Sequence, residues 1–334
     1  MNLRQNALFL AGLSALAICL ASCSSGGKTT DGKIRVGMMP KLIGIDFFNA
    51  CEKGALEAAA ELEVELTFDG PTVADVTKQA EMLDTWITRR LDVIAIAPND
   101  KSALSPTLRR ARSQGIKVLS WDADAVEESR DYFVNQATYE SIGHVLVDIM
   151  AEQIGGSGEV VIVSGTHTAE NQKIWVSHME ERIASKYPDI QIVKTEYPGE
   201  DQSRAFSVTQ DLLKTYPELV GVFGITSVSL PGAAEAVRQA GKSGEIVVTG
   251  LSTPNQMKQY VQDGTVKEFA LWSPVDLGYL TIHLSKLVHE SGGMLPAKIS
   301  AGRLGELTVD NVAKMVVMGP PLRFTAENID EFDF

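Results

Sequence analysis

Short apolar runs alternate with amphipathic stretches of helical length from Lys33 to the end of the chain. The apolar runs are rich in Val and Ile, which is typical of parallel strands buried on both faces. The predicted strands are 34–39, 64–68, 93–97, 117–121, 132–135, 159–164, 190–195, 219–225, 245–250 and 266–272. The predicted helices between them are 49–62, 74–89, 102–114, 141–154, 172–186, 203–215, 231–240 and 255–263. This alternation predicts βαβ units and doubly wound α/β sheets.

The alternation runs through the chain twice, with a break near residues 134–138. Two such series predict two Rossmann-like lobes of similar size. The length agrees, because about 300 of the 334 residues remain without the N-terminal segment, which favours two domains over one core. Ligands of doubly wound sheets bind beyond the carboxyl ends of the strands, so two facing lobes predict one shared cleft.

The N-terminal segment has the pattern of a secretory signal. A cationic start over 1–4 is followed by an apolar run over 7–21. This run is shorter than the roughly 20 residues of a membrane span and fits the apolar core of a signal peptide. Its end, LASC (20–23), resembles a bacterial lipobox. We therefore expect a lipoprotein signal peptide over 1–22 and a lipid anchor on Cys23.

The segment after this signal and the cysteine count agree with that interpretation. Residues 23–32 are polar and Gly-rich, which predicts a lipidated flexible tether. If Cys19 leaves with the signal and Cys23 carries lipid, only Cys51 remains, so no internal disulfide forms. Cys51 lies on an apolar helix face and is expected to be a small buried hydrophobe, with a catalytic thiol as the alternative. An ordinary signal peptide that happens to end near a cysteine is the alternative to lipidation.

Charge and motifs restrict the function. The net charge is −13 and the sequence has no dense Lys/Arg cluster, which disfavours a nucleic-acid ligand. No HExxH, CxxC or phosphate-binding glycine loop occurs in the sequence. His144, His178, His283 and His289 fall on helical stretches, and only His167 follows a strand. We therefore expect no enzyme activity, no metal site and no cofactor.

Polar and aromatic side chains follow nearly every predicted strand. Sugars are bound by hydrogen-bonding groups at their hydroxyls and by aromatic faces against their C–H surface. The candidate ligand contacts are Lys41, Phe47, Phe48, Asp122, Asn171, Gln172, Trp175, Thr226, Ser227 and Trp272. Three of these assignments have structural alternatives: Phe47 and Phe48 could both pack into the core, Asp122 could cap a turn, and Lys41 could only extend to solvent.

Several longer segments carry a resemblance to a known family. They are PKLIGIDFF (40–48), FDGPT (68–72), SWDAD (120–124), NQKIW (171–175), VTGLSTP (248–254), KEFALWSPVDLGY (267–279), AGRLG (301–305) and NIDEF (328–332). Through them the chain resembles type I periplasmic binding proteins of sugar ABC transporters over residues 34–334. Within that family it is most similar to the rhamnose-binding and autoinducer-2-binding branch.

The resemblance separates two ligands. The lysine and aspartate of autoinducer-2 receptors match Lys41 and Asp122, but their second-lobe Asp-Gln pair is Asn171-Gln172 here. Their Pro-x-Ala segment falls on residues 225–227, which read Ile-Thr-Ser. The segments at 171–175, 267–279 and 301–305 are similar to rhamnose-binding proteins. The resemblance therefore favours rhamnose or a similar deoxysugar, with other pentoses and hexoses and autoinducer-2 as the alternatives.

The resemblance also implies a mechanism and a domain arrangement. A monomer is expected to close its lobes on the sugar by hinge motion and to present the closed form to a membrane permease. The hinge is expected to have crossings near 134–138, 266–272 and 298–305. The N-terminal lobe would comprise 33–135 and about 270–298, and the C-terminal lobe 136–269 and about 299–334.

Two further functions remain open at this point. The closed form could dock on a membrane sensor instead of a permease, or the chain could be a sugar-processing enzyme. Related repressors share the two-lobe core but begin with a DNA-binding helix-turn-helix, and here a signal peptide stands in that place. The expected location is the periplasm or cell envelope.

Overall fold

The two largest sheets form where the sequence predicts Val- and Ile-rich runs. The computed structural model describes residues 32–334, and the predicted signal peptide and Cys23 lie outside this range. The strands are β1 Arg35–Met39, β2 Glu65–Phe68, β3 Val93–Ile96, β4 Lys117–Trp121, β5 Tyr132–Asn135, β6 Ser157–Val163, β7 Asp189–Glu196, β8 Leu219–Gly224, β9 Val247–Gly250, β10 Glu268–Leu271, β11 Lys298–Ser300, β12 Glu306–Asp310, β13 Met315–Val317 and β14 Leu322–Thr325. The helices are α1 Asp46–Glu61, α2 Val76–Thr88, α3 Ser105–Ser113, α4 Tyr139–Ile154, α5 Glu170–Lys186, α6 Gln202–Thr215, α7 Ser229–Gln239, α8 Pro254–Gln262 and α9 Pro274–Glu290.

The first lobe is built on an eight-stranded sheet in the order β11-β12-β13-β5-β4-β3-β1-β2. Strands β1 to β5 are parallel, as their continuous apolar sequences predict. The second lobe has a parallel sheet in the order β7-β6-β8-β9. A bridge between Leu251 and Ala270 connects β9 to β10, which pairs antiparallel with β14. The predicted two-lobed α/β architecture is confirmed.

The C-terminal segment differs from the prediction. Strand β13 pairs in parallel with β5, placing Val316 beside Val134, and β12 and β11 add to it antiparallel. Residues 298–317 therefore belong to the first lobe, and only β14 and the short 3-10 helix after it join the second. The crossing expected at 298–305 lies inside the first lobe, and the third crossing runs instead through 318–321.

Helices α1 and α9 meet with their backbones in contact. A Cβ atom on Gly54 would lie 1.7 Å from the carbonyl oxygen of Val275, and one on Gly278 would lie 1.9 Å from that of Cys51. The two glycines thus permit a helix crossing that any larger residue would push apart. This contact fixes α1, whose first turn carries Phe47 and Phe48 to the edge of the sheet.

Two helix ends carry well-defined capping residues. Asp75 accepts hydrogen bonds from the backbone of Thr77 and Lys78 at the start of α2, as an N-cap does. Gly155 ends α4 with a φ of 74°, the left-handed conformation that glycine adopts at low cost. These caps define where α2 begins and where α4 ends.

Candidate ligand-binding cleft between the lobes

One cavity lies between the two lobes, at the carboxyl ends of the parallel strands. Its volume is about 40 Å³, room for about three water molecules. A monosaccharide is several times larger, so the lobes or side chains must separate to admit one. The cavity brings together all ten predicted residues: Lys41, Phe47, Phe48, Asp122, Asn171, Gln172, Trp175, Thr226, Ser227 and Trp272. Their role in binding stays a prediction.

Lys41 connects the lobes at the centre of this cavity. Its Nζ donates a hydrogen bond of 3.0 Å to Oδ1 of Asn171, across the cleft. The same Nζ lies 3.7 Å from Oδ2 of Asp122, with which it forms an ion pair within the first lobe. Lys41 and Asp122 are each 4% exposed, so Lys41 does not extend to solvent. A buried lysine held between two oxygen acceptors presents its remaining N–H groups to a ligand.

Asp122 occupies a strained backbone turn at the end of β4. Its φ is +61°, and the amide of Ala123 donates to the carbonyl of Trp121 at 2.6 Å. These features define a γ-turn with positive φ at its central residue, which is rare and strained. The carbonyl of Asp122 accepts from Nε2 of Gln136 at 3.1 Å and from Nδ2 of Asn171 at 3.4 Å, and both bonds hold the turn. Strain of this kind is retained where the surrounding structure and the function require it.

The charge state of Asp122 is set by its surroundings. Burial raises the pKa of Asp122 to about 6, Lys41 opposes the rise, and Glu200 adds to it. The carboxylate is therefore ionised at neutral pH although it lies in the interior. An ionised acceptor in a dry cleft makes the stronger, charge-assisted hydrogen bonds to hydroxyl groups.

Gln172 is fixed from three sides on the second lobe. Its Oε1 accepts from Oγ of Ser164 at 3.2 Å and from the amide of Gly165 at 3.0 Å. Its Nε2 donates to Oε1 of Glu200 at 2.8 Å. The orientation of the amide group follows, and one N–H of Nε2 remains for a ligand.

Glu200 is a cleft residue that the sequence reasoning missed. It lines the cavity and follows β7, so the rule that polar groups at strand ends form the site would have found it. Ile45, Ile225, Leu251 and Leu271 also line the cavity and were not predicted. They are apolar, and nothing in the sequence separates them from ordinary core residues.

An aromatic wall closes one side of the cavity. The ring of Trp272 lies 6.0 Å from that of Phe47, nearly perpendicular to it, and 6.0 Å from that of Trp175. Phe47 and Phe48 are both buried and both line the cleft, so packing and cleft exposure are not alternatives here. The indole nitrogens of Trp175 and Trp272 are buried without a hydrogen-bond partner among residues 32–334. Buried donors normally have partners, so these two N–H groups are available to ligand oxygens.

Thr226 and Ser227 reach the cavity from the start of α7. The Thr226 hydroxyl donates to Oγ of Ser229 at 3.0 Å and accepts from the Ser229 amide at 3.0 Å. It is therefore largely occupied in starting the helix. His167 is exposed and stacks on Tyr197, with 3.8 Å between ring centres, and it does not line the cavity.

The described part of the chain has neither a metal cluster nor a spanning helix. Within residues 32–334 no group of three His, Cys, Asp or Glu side chains could hold a metal ion. In the same range no helix combines the length and apolar character needed to cross a bilayer.

Residues 36–291 match the model of a family described as the periplasmic binding protein domain. The chain belongs to this family. The family consists of substrate-binding transport proteins of the periplasm or cell exterior, and the type I periplasmic binding protein fold expected from the sequence is confirmed.

Solved structures of similar proteins cover nearly the whole chain. A sugar ABC transporter protein from Actinomyces odontolyticus is 36% identical with a TM-score of 0.74, covering 90% of this chain and 98% of that chain. An ABC transporter solute-binding protein from Clostridium phytofermentas with bound L-rhamnose is 26% identical, with a TM-score of 0.85 and coverage of 90% and 98%. LsrB from Clostridium saccharobutylicum in complex with AI-2 is 24% identical, with a TM-score of 0.85 and coverage of 90% and 100%.

Proposed function

We propose that this protein is the solute-binding component of an ABC transporter and captures a monosaccharide, rhamnose or a similar deoxysugar, for delivery to a membrane permease. The observation that carries the proposal is that both lobes supply hydrogen-bonding groups to one cavity. Lys41 and Asp122 come from the first lobe, and Asn171 and Gln172 come from the second. A ligand that contacts both sides binds the closed arrangement more tightly than the open one and shifts the equilibrium towards it.

The aromatic wall supports a sugar with an apolar face. Phe47, Trp175 and Trp272 offer ring surface for C–H groups, and the two indole N–H groups offer donors for hydroxyl or ring oxygens. A 6-deoxy methyl group would pack against this wall. The rhamnose-bound relative supports the choice of sugar.

A receptor for autoinducer-2 that signals through a membrane sensor is the second candidate. It is favoured by the presence of Lys41 and Asp122, which match the lysine and aspartate of such receptors. It is disfavoured by Asn171, whose Oδ1 accepts from Lys41 where an aspartate would stand in those receptors. The ligand screen below separates the two.

We also propose that the mature protein is a monomer anchored by lipid on Cys23 at the cell envelope. The lipobox-like sequence before that residue supports this. Metabolic labelling with a radioactive fatty acid should mark the wild type and leave Cys23→Ala unlabelled, and an unlabelled wild type would contradict the anchor.

A thermal-shift screen of the soluble form, starting at Ser24, tests the ligand. It would include rhamnose, other common monosaccharides and autoinducer-2. A ligand at 100 times its dissociation constant stabilises the folded state by about 2.7 kcal/mol, which raises the melting temperature visibly. The shift should disappear in Asp122→Ala and Asn171→Ala and persist in Asp211→Ala, whose side chain lies on the surface of α6. A shift with autoinducer-2 alone would favour the second candidate, and no shift with any sugar would contradict the proposal.

A further inference from the structure

Glu200 enters the cleft from the loop between β7 and α6. Its Oε1 accepts from Nε2 of Gln172 at 2.8 Å, and the loop is held by the amide of Gly199, which donates to the carbonyl of Gly165 at 2.9 Å. A carboxylate accepts about four hydrogen bonds, so Glu200 retains capacity for ligand donors after the bond from Gln172.

Gly165 provides the space that the pair of Gln172 and Glu200 occupies. A Cβ atom at this position would lie 2.4 Å from Oε1 of Glu200 and 2.6 Å from Oε1 of Gln172. Any other residue at 165 would displace both side chains. The backbone of the second lobe is thus shaped to keep this carboxylate against this amide.

The charges in the cleft are unequal. Two carboxylates line the cavity, Asp122 from the first lobe and Glu200 from the second. Within residues 32–334, the lining includes one basic side chain, that of Lys41. Two carboxylates facing one ammonium give a net negative cavity when all three are ionised. A further anion brought into a small cavity of low polarity meets repulsion that solvent screens poorly.

We propose that Glu200 is a specificity-determining ligand contact, which accepts a hydrogen bond from a hydroxyl of a neutral sugar and excludes sugar acids and sugar phosphates. This inference rests on the proposed function, since it assigns a role at the same site. Gln172 and Glu200 together offer a donor and an acceptor side by side, which matches adjacent hydroxyl groups of a sugar ring.

Glu200→Gln tests the proposal because it keeps the shape and removes the charge. Binding is measured by titration calorimetry with the neutral sugar that stabilises the wild type best and with the uronic acid of the same ring. A hydrogen bond to a charged group contributes enough for about a 10- to 100-fold loss of affinity for the neutral sugar. The ratio of the affinity for the neutral sugar to the affinity for its acid should fall by at least the same factor.

Two further variants sharpen the test. Glu196→Gln is the matched control, because Glu196 pairs with Lys194 away from the cavity, and it should bind as the wild type does. Gly165→Ala should weaken binding of the neutral sugar in the same direction, with folding checked by circular dichroism.

The outcomes separate this inference from the proposed function. Wild-type binding of a neutral sugar together with unchanged affinity and selectivity in Glu200→Gln would overturn the inference alone. Tight wild-type binding of the sugar acid would also overturn it. A wild type that binds none of the sugars would overturn the proposed function, and this inference with it.

Discussion

Ionised Asp122 should destabilise the folded protein, and Asp122→Asn should remove that cost. The side chain is almost completely buried, and burial raises its pKa from the ordinary 3.8 to about 6, with Lys41 opposing the rise and Glu200 adding to it. Asparagine has nearly the same shape and cannot ionise. The difference in unfolding free energy between the two proteins therefore isolates the ionisation of one carboxyl group.

The sign and the size follow from proton linkage. Below about pH 4 the carboxyl is protonated in both the folded and the unfolded chain. Between about pH 4 and pH 6 the unfolded chain releases the proton while the folded protein keeps it, so unfolding becomes more favourable as the pH rises. A pKa change from 3.8 to about 6 corresponds to about 3 kcal/mol, and the loss levels off above pH 6.

Urea unfolding of the ligand-free wild type and Asp122→Asn between pH 4 and pH 8 measures this difference. Groups far from residue 122 titrate alike in both proteins, so their contributions cancel. The wild type should lose about 3 kcal/mol relative to the variant across this range, mostly before pH 6. A difference that stays constant with pH would refute the argument that burial of this carboxylate opposes folding.

Ligand affinity should have the opposite pH dependence. If the ligand hydroxyl donates to the ionised carboxylate, the wild type binds more weakly as the pH falls below about 6. Stability and affinity would then change in opposite directions over the same range, which is expected where a buried charge is retained for function.

Three other predictions concern packing, the aromatic wall and the free thiol. Gly54→Ala should destabilise the fold by about 1–3 kcal/mol or more, because the new methyl would meet the carbonyl of Val275. Gly319→Ala should have little effect, because no atom lies within 4 Å of its added Cβ. Chemical unfolding compares the two variants, and equal stabilities would contradict the close helix crossing. Trp272→Phe should weaken sugar binding about tenfold through loss of the indole N–H, and unaltered affinity in a calorimetric titration would show that this group does not contact the ligand. Burial raises the pKa of the Cys51 thiol, so it should react with a thiol reagent only after unfolding, and rapid labelling of the folded protein would be inconsistent with a structural role.

The architecture could be predicted because each buried parallel strand has a continuous apolar sequence. The run 93–97, for example, contains strand β3 Val93–Ile96, whose residues are all buried. Strands β11, β12 and β13 could not be assigned in the same way, since they have three to five residues and β12 is mostly exposed. Their place beside β5 is decided by contacts far apart in the sequence, and that is why the third crossing was misplaced.

The positions of the cleft residues could be predicted where the order of strands and helices alone places them. Parallel strands end at one edge of a sheet, so Lys41 after β1 and Asp122 after β4 lie at the same edge, with β3 between their strands. The positive φ of Asp122 has no comparable sequence signal, because aspartate tolerates that conformation without requiring it. The use of the Thr226 hydroxyl to start α7, by contrast, follows a local pattern, since Ser229 lies three residues further along the chain.

Glu200 also gives a physical reason for the amide at position 171. Asn171 accepts from Lys41 and donates to the carbonyl of Asp122, so it links the lobes with no charge of its own. A carboxylate at 171 would lose the donated bond and place a third anion around a single buried ammonium. Because Glu200 already supplies the negative charge of the second lobe, a neutral residue that both accepts and donates is what the charge balance of this cleft requires. Asn171, where autoinducer-2 receptors have an aspartate, and Glu200 therefore belong to one arrangement. In it the negative charge of the second lobe lies beside Gln172 instead of against Lys41.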